Sequence, residues 1–235
     1  MYFLKSGIFW QWRWKWEVAR ELMRDSWPLI LSGVLVSIYV NIDQVMIKQM
    51  IDEQAVGLYA IATRLSTAWY FIPIAITSSM FPAILNAKYN NSSVYHQRLQ
   101  TLYDILVWLA ILITIAIIFF SESIIDILVG HEYAPAASVL NIAIIAGIFT
   151  SIGLINNKFF EAENRQIDIL YRSLLGVSVN IILNIILIKK YGISGAAIAT
   201  VFAQFSTSIV YTYLKKDSRL LLFMFLKCFD VRRLF

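Results

Sequence analysis

Apolar residues along this chain fall into blocks of about 20 separated by short polar stretches, the spacing of membrane-spanning helices. Six blocks stand out, at 27–47, 57–85, 102–120, 134–156, 167–188 and 192–214. Polar connectors at 48–56, 86–101, 121–133, 157–166 and 189–191 separate them. Asp25 or Ser26 can cap the first span, with Pro28 in its first turn, where a missing N–H costs little. The third, with ILVWLAILITIAIIFF, has no polar site and reads as structural.

The second block, GLYAIATRLSTAWYFIPIAITSSMFPAIL, is the one the others are organised around. It holds Arg64 and two prolines, Pro73 and Pro82. An arginine inside the bilayer costs at least ~2.5 kcal/mol and marks a functional site by default. Internal prolines free carbonyls that a neighbour must satisfy. This span is therefore expected to face other helices or a water-filled cavity.

Composition supports the membrane reading. The chain is 59% hydrophobic and 15% charged, against ~45–50% and ~25% in soluble domains. One cysteine, Cys228, excludes a disulfide framework, and two distant histidines, His96 and His131, exclude a His-rich metal site. Residues 1–26, with Trp10, Trp12, Trp14 and Trp16 interleaved with basic residues, read as an interfacial segment rather than a signal peptide or a nucleic-acid patch. Residues 215–235 form a basic tail whose apolar run is too short to span. Fifteen lysines and arginines fall on one side of the six-span arrangement and three on the other, which predicts both termini in the cytoplasm.

The intramembrane polar residues are the candidates for chemistry. By helical rise, Asp43 and Arg64 lie in the outer half of the membrane within about two turns of one another. They are expected either to pair or to line one outward cavity, with Asp43 a candidate ion-coupling carboxylate. Arg172, near the cytoplasmic end of span five, can snorkel, contact Glu161 or Glu163, or hold an anionic substrate group. Asn180 and Asn184 lie one turn apart on a single face. They bind neighbouring helices or line a polar path, as do Gln204 and Thr207. Gly192, Gly195, Ala196, Ala199 and Ala203 give span six a small-residue packing face. No Walker loop, metal spacing or nucleophile motif is present, so the expectation is a transporter without cofactor, not an enzyme.

These stretches carry a resemblance. Residues 56–85, preceded by DSWPLILSGVLVSIYVNIDQVMI, resemble Wzx-type polysaccharide flippases of the multidrug/oligosaccharidyl-lipid/polysaccharide exporter (MOP) superfamily. So do Gly130–Tyr133 with the following AAxVLxI, Ala162–Arg165, and NIILNIILIKKYGISGAAIAT. The resemblance implies an all-α membrane protein of six transmembrane helices, equivalent to the C-terminal lobe of a twelve-helix transporter. Residues 1–26 would then be the cytoplasmic linker between lobes. The missing lobe implies a fragment or a split product, or pairing with a second six-helix chain or in a homodimer. The implied activity is translocation of undecaprenyl-diphosphate-linked sugar repeat units across the bacterial inner membrane, with membrane lipids as further partners. Arg64, Arg172, Asn180 and Asn184 would hold the substrate. The alternatives are a multidrug or organic-cation antiporter of the same superfamily and a non-transporting scaffold subunit.

Overall fold

Helices make up nearly all the regular structure of residues 15–230, which the computed structural model describes, and no strand occurs among them. They are α1 (Trp16–Met50), α2 (Glu53–Thr67), α3 (Phe71–Asn90), α4 (Ser92–Leu128), α5 (Ala136–Ala143), α6 (Ala146–Ala162), α7 (Gln166–Phe205), α8 (Tyr211–Leu214) and α9 (Arg219–Lys227). A π-helical turn, Ser206–Val210, joins α7 to α8. The expected interfacial residues Trp10, Trp12 and Trp14 lie outside the described residues.

Among the described residues, five helical stretches are long and apolar enough to cross a membrane: Ser26–Met50, Glu53–Asn90, Ser92–Leu128, Ala136–Ala162 and Gln166–Leu214. The last has 49 residues, about 74 Å if straight, against a hydrocarbon core of ~30 Å. It is not straight. Gly192, at φ 58° and ψ −140°, folds α7 back on itself. The two arms touch so closely that a Cβ on Gly195 would lie 2.1 Å from the Leu187 carbonyl oxygen. The small-residue stripe read from the sequence is thus the contact surface of a helical hairpin, and the chain crosses six times.

Polar connectors proved shorter than their composition suggested. The expected loop at 86–101 is helix on both sides of a joint at Asn91, whose Oδ1 caps α4 by accepting from Ser93 N and Val94 N. Asp52 caps α2 through Ala55 N at 2.7 Å. The helix start expected at Asp25 or Ser26 is not a start, because α1 runs through both. A polar residue in a helix that projects beyond the hydrocarbon loses nothing by staying helical, so polarity alone overcounts loops.

Spans two and four each break near the middle of their apolar runs. Between α2 and α3, Tyr70 N donates to Thr67 O and Ile72 N to Trp69 O, both tight three-residue steps. Pro73, which has no N–H to give Trp69 O, stands just after this break. Between α5 and α6 the chain steps through Ile144 and Ile145 in the same way. The breaks meet: Trp69, Ala110 and Ile144 form one small buried cluster. It joins a larger core around Leu99, Tyr103 and Phe160 to another around Ile47, Tyr59 and Leu140. A Cβ on Gly147 would sit 2.7 Å from Trp69 Cζ2. Gly147→Ala is expected to cost about 1–3 kcal/mol by overpacking, read as a lower Tm in detergent. Combining it with Trp69→Phe, which removes that atom, should restore most of the loss.

Candidate functional site

Two clefts, mostly apolar but each with several polar side chains, adjoin among α1, α2, α6 and the two arms of α7. One, about 220 Å³ in volume, is lined by Asp43, Tyr59, Arg64, Tyr70, Thr200 and Gln204 among others. The other, about 180 Å³, is lined by Asn157, Arg172, Ser173, Gln204 and Thr207 among others. Gln204 lines both. Arg172 and Asn184 lie twelve residues apart on one arm, about 18 Å along its axis.

Asp43, only 3% exposed, is the hub of the first cleft. Its Oδ1 accepts from Asn184 Nδ2 at 2.6 Å. Its Oδ2 accepts from the Tyr59 hydroxyl at 2.6 Å and from the Thr200 hydroxyl at 2.7 Å. Asn184 also donates to Asn180 Oδ1 at 3.2 Å, and Asn180 donates to Thr200 at 3.4 Å. Three of the five candidate residues therefore form one buried network with Tyr59 and Thr200. It is assembled from α1, α2 and both arms of the hairpin. Within it, Asn184 Oδ1 is buried without a hydrogen-bond partner among the described residues.

The expected Asp43–Arg64 ion pair does not form among the described residues. Asp43 is held by neutral donors instead, and Arg64 is exposed on the same cleft. The other expectation, that both line one cavity, describes the geometry.

Arg172 is 4% exposed and does not snorkel. Nor does it meet Glu161 or Glu163: Glu161 pairs with Lys158 at 2.6 Å, and Glu163 with Lys88 at 3.1 Å. Its Nη1 donates to Asn157 Oδ1 at 2.6 Å and its Nε to the Thr207 carbonyl at 2.9 Å. Its guanidinium also lies over the Phe160 ring, 5.5 Å from the centroid. The π-helical turn makes the second bond available. In an α-helix Tyr211 N would use Thr207 O, but here it donates to Ser206 O, one residue earlier, and Thr207 O is released to Arg172. Gly176 permits the approach, since a Cβ there would lie 2.6 Å from Thr207 Cγ2.

No carboxylate pairs with Arg172 among the described residues. Asp168, one turn before it, is committed to Tyr211 at 2.5 Å, Arg165 at 2.8 Å and Lys215 at 3.5 Å. A guanidinium has five N–H donors, so three remain uncommitted at the cleft. No group of three or more His, Cys, Asp or Glu suited to a metal occurs among the described residues.

Residues 1–138 match the family model described as polysaccharide biosynthesis protein. The chain belongs to that family. Its curated relatives agree with the resemblance to Wzx-type flippases of the MOP superfamily. It is 26% identical over 199 residues to the "probable low-salt glycan biosynthesis flippase Agl15" of Haloferax volcanii, covering 83% of this family member and 42% of the relative. It is 27% identical over 130 residues to the teichuronic acid biosynthesis protein TuaB of Bacillus subtilis, covering 53% of this chain and 26% of that one. This family member thus spans less than half the length of these relatives. Two solved structures share its fold. One is an outward-facing multidrug resistance MATE family transporter of the MOP superfamily, with TM-score 0.70 and 18% identity over 84% of this chain and 45% of that one. The other is the lipid II flippase MurJ in an inward closed conformation, with TM-score 0.64 and 17% identity over 93% and 48%. The chain is a multi-pass, all-α membrane protein of this transporter architecture.

Tyr59, Thr200 and Asn157 were not singled out from the sequence. A hydroxyl or amide in an apolar span is common, and only the register of the α7 hairpin shows that Thr200 and Asn184 reach the same carboxylate. A usable signal was present: these polar residues recur at the depths of Asp43 and Arg172.

Proposed function

We propose that this chain is one six-helix lobe, the C-terminal one, of a flippase that moves undecaprenyl-diphosphate-linked oligosaccharide repeat units across a bacterial inner membrane for O-antigen or another surface polysaccharide. Both termini then face the cytoplasm. The observation that carries the reading is Arg172: a buried cation, ion-paired with no described residue, beside a cleft that Asn157, Gln204 and Thr207 also line. Taking such a charge out of water is costly unless an anion arrives to meet it. A diphosphate or acidic sugar supplies that anion through charge-assisted hydrogen bonds, while the lipid tail stays in the bilayer. The exposed Arg64 on the adjoining cleft would extend the same cationic track.

Asp43 takes the coupling role. Its carboxylate, with the unpartnered Asn184 Oδ1 beside it, suits a proton or a monovalent cation whose binding would rearrange α1 against the hairpin. The organic-cation reading is weaker, because the clefts hold two arginines, Arg64 and Arg172, that favour an anionic cargo. A second six-helix lobe, from another chain or from a second copy, would complete the central cavity.

Complementation tests the proposal. The chain is expressed in a flippase-deficient bacterium, alone and with a separately expressed N-terminal lobe, and surface polysaccharide is measured. Restoration with the lobe is expected. Failure in both, with the protein present in the membrane, would turn the reading toward a scaffold subunit.

A further inference from the structure

The short helix α9 is held at a fixed position on the bundle. Leu221, Met224 and Cys228 are buried, at i, i+3 and i+7, and form the inward face. Gln100, itself buried on α4, donates from Nε2 to the Met224 carbonyl at 2.9 Å and to Asp104 Oδ1 at 2.9 Å. Trp108, two turns further along α4, donates from Nε1 to the Cys228 carbonyl at 3.1 Å. Two side chains of a membrane-spanning helix thus clamp the end of α9 through its backbone, so this segment is a seated element and not a loose tail.

Its outward face is unusual for a helix at a polar boundary. Leu220, Phe223 and Leu226 are exposed there, and cations stand among them. Lys227 Nζ lies 4.4 Å from the Phe223 ring centroid. Arg219 stacks on Tyr213, 5.4 Å from its centroid, and donates from Nε to the Tyr213 carbonyl at 3.1 Å. Lys216 is exposed in the turn just before. None of the three is ion-paired among the described residues, whereas Lys215 beside them is paired with Asp168. Water would not favour the apolar side chains, and hydrocarbon would not favour the cations. A layer of acyl chains under phosphates satisfies both.

We infer that α9 is a fixed binding ledge for anionic phospholipid, with acyl chains against Leu220, Phe223 and Leu226 and headgroup phosphates met by Lys216 and Arg219 at one end of the helix and by Lys227 at the other, about 12 Å along its axis. The arrangement is independent of the cargo. It follows from the seated helix, the mixed outward face and three cations that form no ion pair among the described residues.

The test is native mass spectrometry of the full chain released from nanodiscs of equimolar phosphatidylglycerol and phosphatidylcholine. Phosphatidylglycerol is expected to be retained in excess by about fivefold or more, and K216Q/R219Q/K227Q to bring the ratio close to unity. K189Q/K190Q, at the far end of the molecule in the α7 turn, should leave it unchanged. Protection of the Cys228 thiol from maleimide reports that α9 is still seated. If the triple variant loses that protection, K216Q and K227Q singly replace it, each with a smaller fall expected. Q100A gives an independent arm, since it should expose Cys228 and lower the enrichment with every cation intact. Equal retention of the two lipids, enrichment that survives the triple variant, or an equal loss in K189Q/K190Q overturns the inference. A face without lipid preference would then be one for a protein partner.

Discussion

Replacing Arg172 with glutamine is expected to reduce translocation of a lipid-linked oligosaccharide by roughly 10- to 100-fold, the worth of a charged hydrogen bond in a desolvated site. The loss has two sources, and they can be separated. Removing the guanidinium leaves Thr207 O and Asn157 Oδ1 without their donor, which costs about 1–3 kcal/mol of stability. It also removes the buried positive charge from the cleft, which costs cargo binding under the proposed function. Arg172→Lys keeps the charge but lacks the planar fork that reaches both acceptors. If the charge is what matters for cargo, the lysine variant should be less stable than the parent yet transport better than the glutamine variant. Measuring Tm, and flipping in proteoliposomes that also carry the N-terminal lobe, on the same preparations decides it. Equal flipping by all three proteins would mean that Arg172 only braces the π-helical turn.

Asp43→Asn should have the second large effect, and of a different kind. The aspartate accepts from three donors on three helical segments. An asparagine offers one acceptor oxygen and turns an NH₂ toward the other donors, at a cost of about 1–3 kcal/mol. Its more diagnostic consequence is the loss of the carboxylate for which the coupling role is proposed. In proteoliposomes that also carry the N-terminal lobe, the parent is expected to respond to an imposed proton or sodium gradient and the variant to be indifferent to it. A variant that kept the parent's response would place coupling elsewhere. Asn184→Ala is a useful companion, because it removes one donor to Asp43 and leaves the carboxylate in place.

The sequence by itself determined the class of fold. Blocks of about 20 apolar residues cannot be solvated as loops, and hydrocarbon obliges every backbone group within them to bond internally, so helix was the available answer. The tight reversal at Gly192 and the small-residue stripe beside it were legible for a related reason: side-chain volume limits how near two backbones can come, and glycine and alanine announce the near approach. The presence of Asp43, Arg64 and Arg172 in apolar spans was equally plain, since charge in such places is costly wherever it occurs.

Tertiary structure decided which of these residues meet. One-dimensional depth put Asp43 and Arg64 at similar heights and suggested a pair, but depth carries no information about rotation around the helix axis. Rotation, set by packing of α1 on the α7 hairpin, aims Asp43 at Asn184, Thr200 and Tyr59, while Arg64 stands exposed across the cleft. The partner of Arg172 was likewise out of reach. A backbone carbonyl is the same in every residue, and it accepts a side chain only where the helix has slipped to a π-turn and left it free. Such a slip depends on how Gly176 lets the two arms close, a property of the pair of helices and not of either sequence stretch alone.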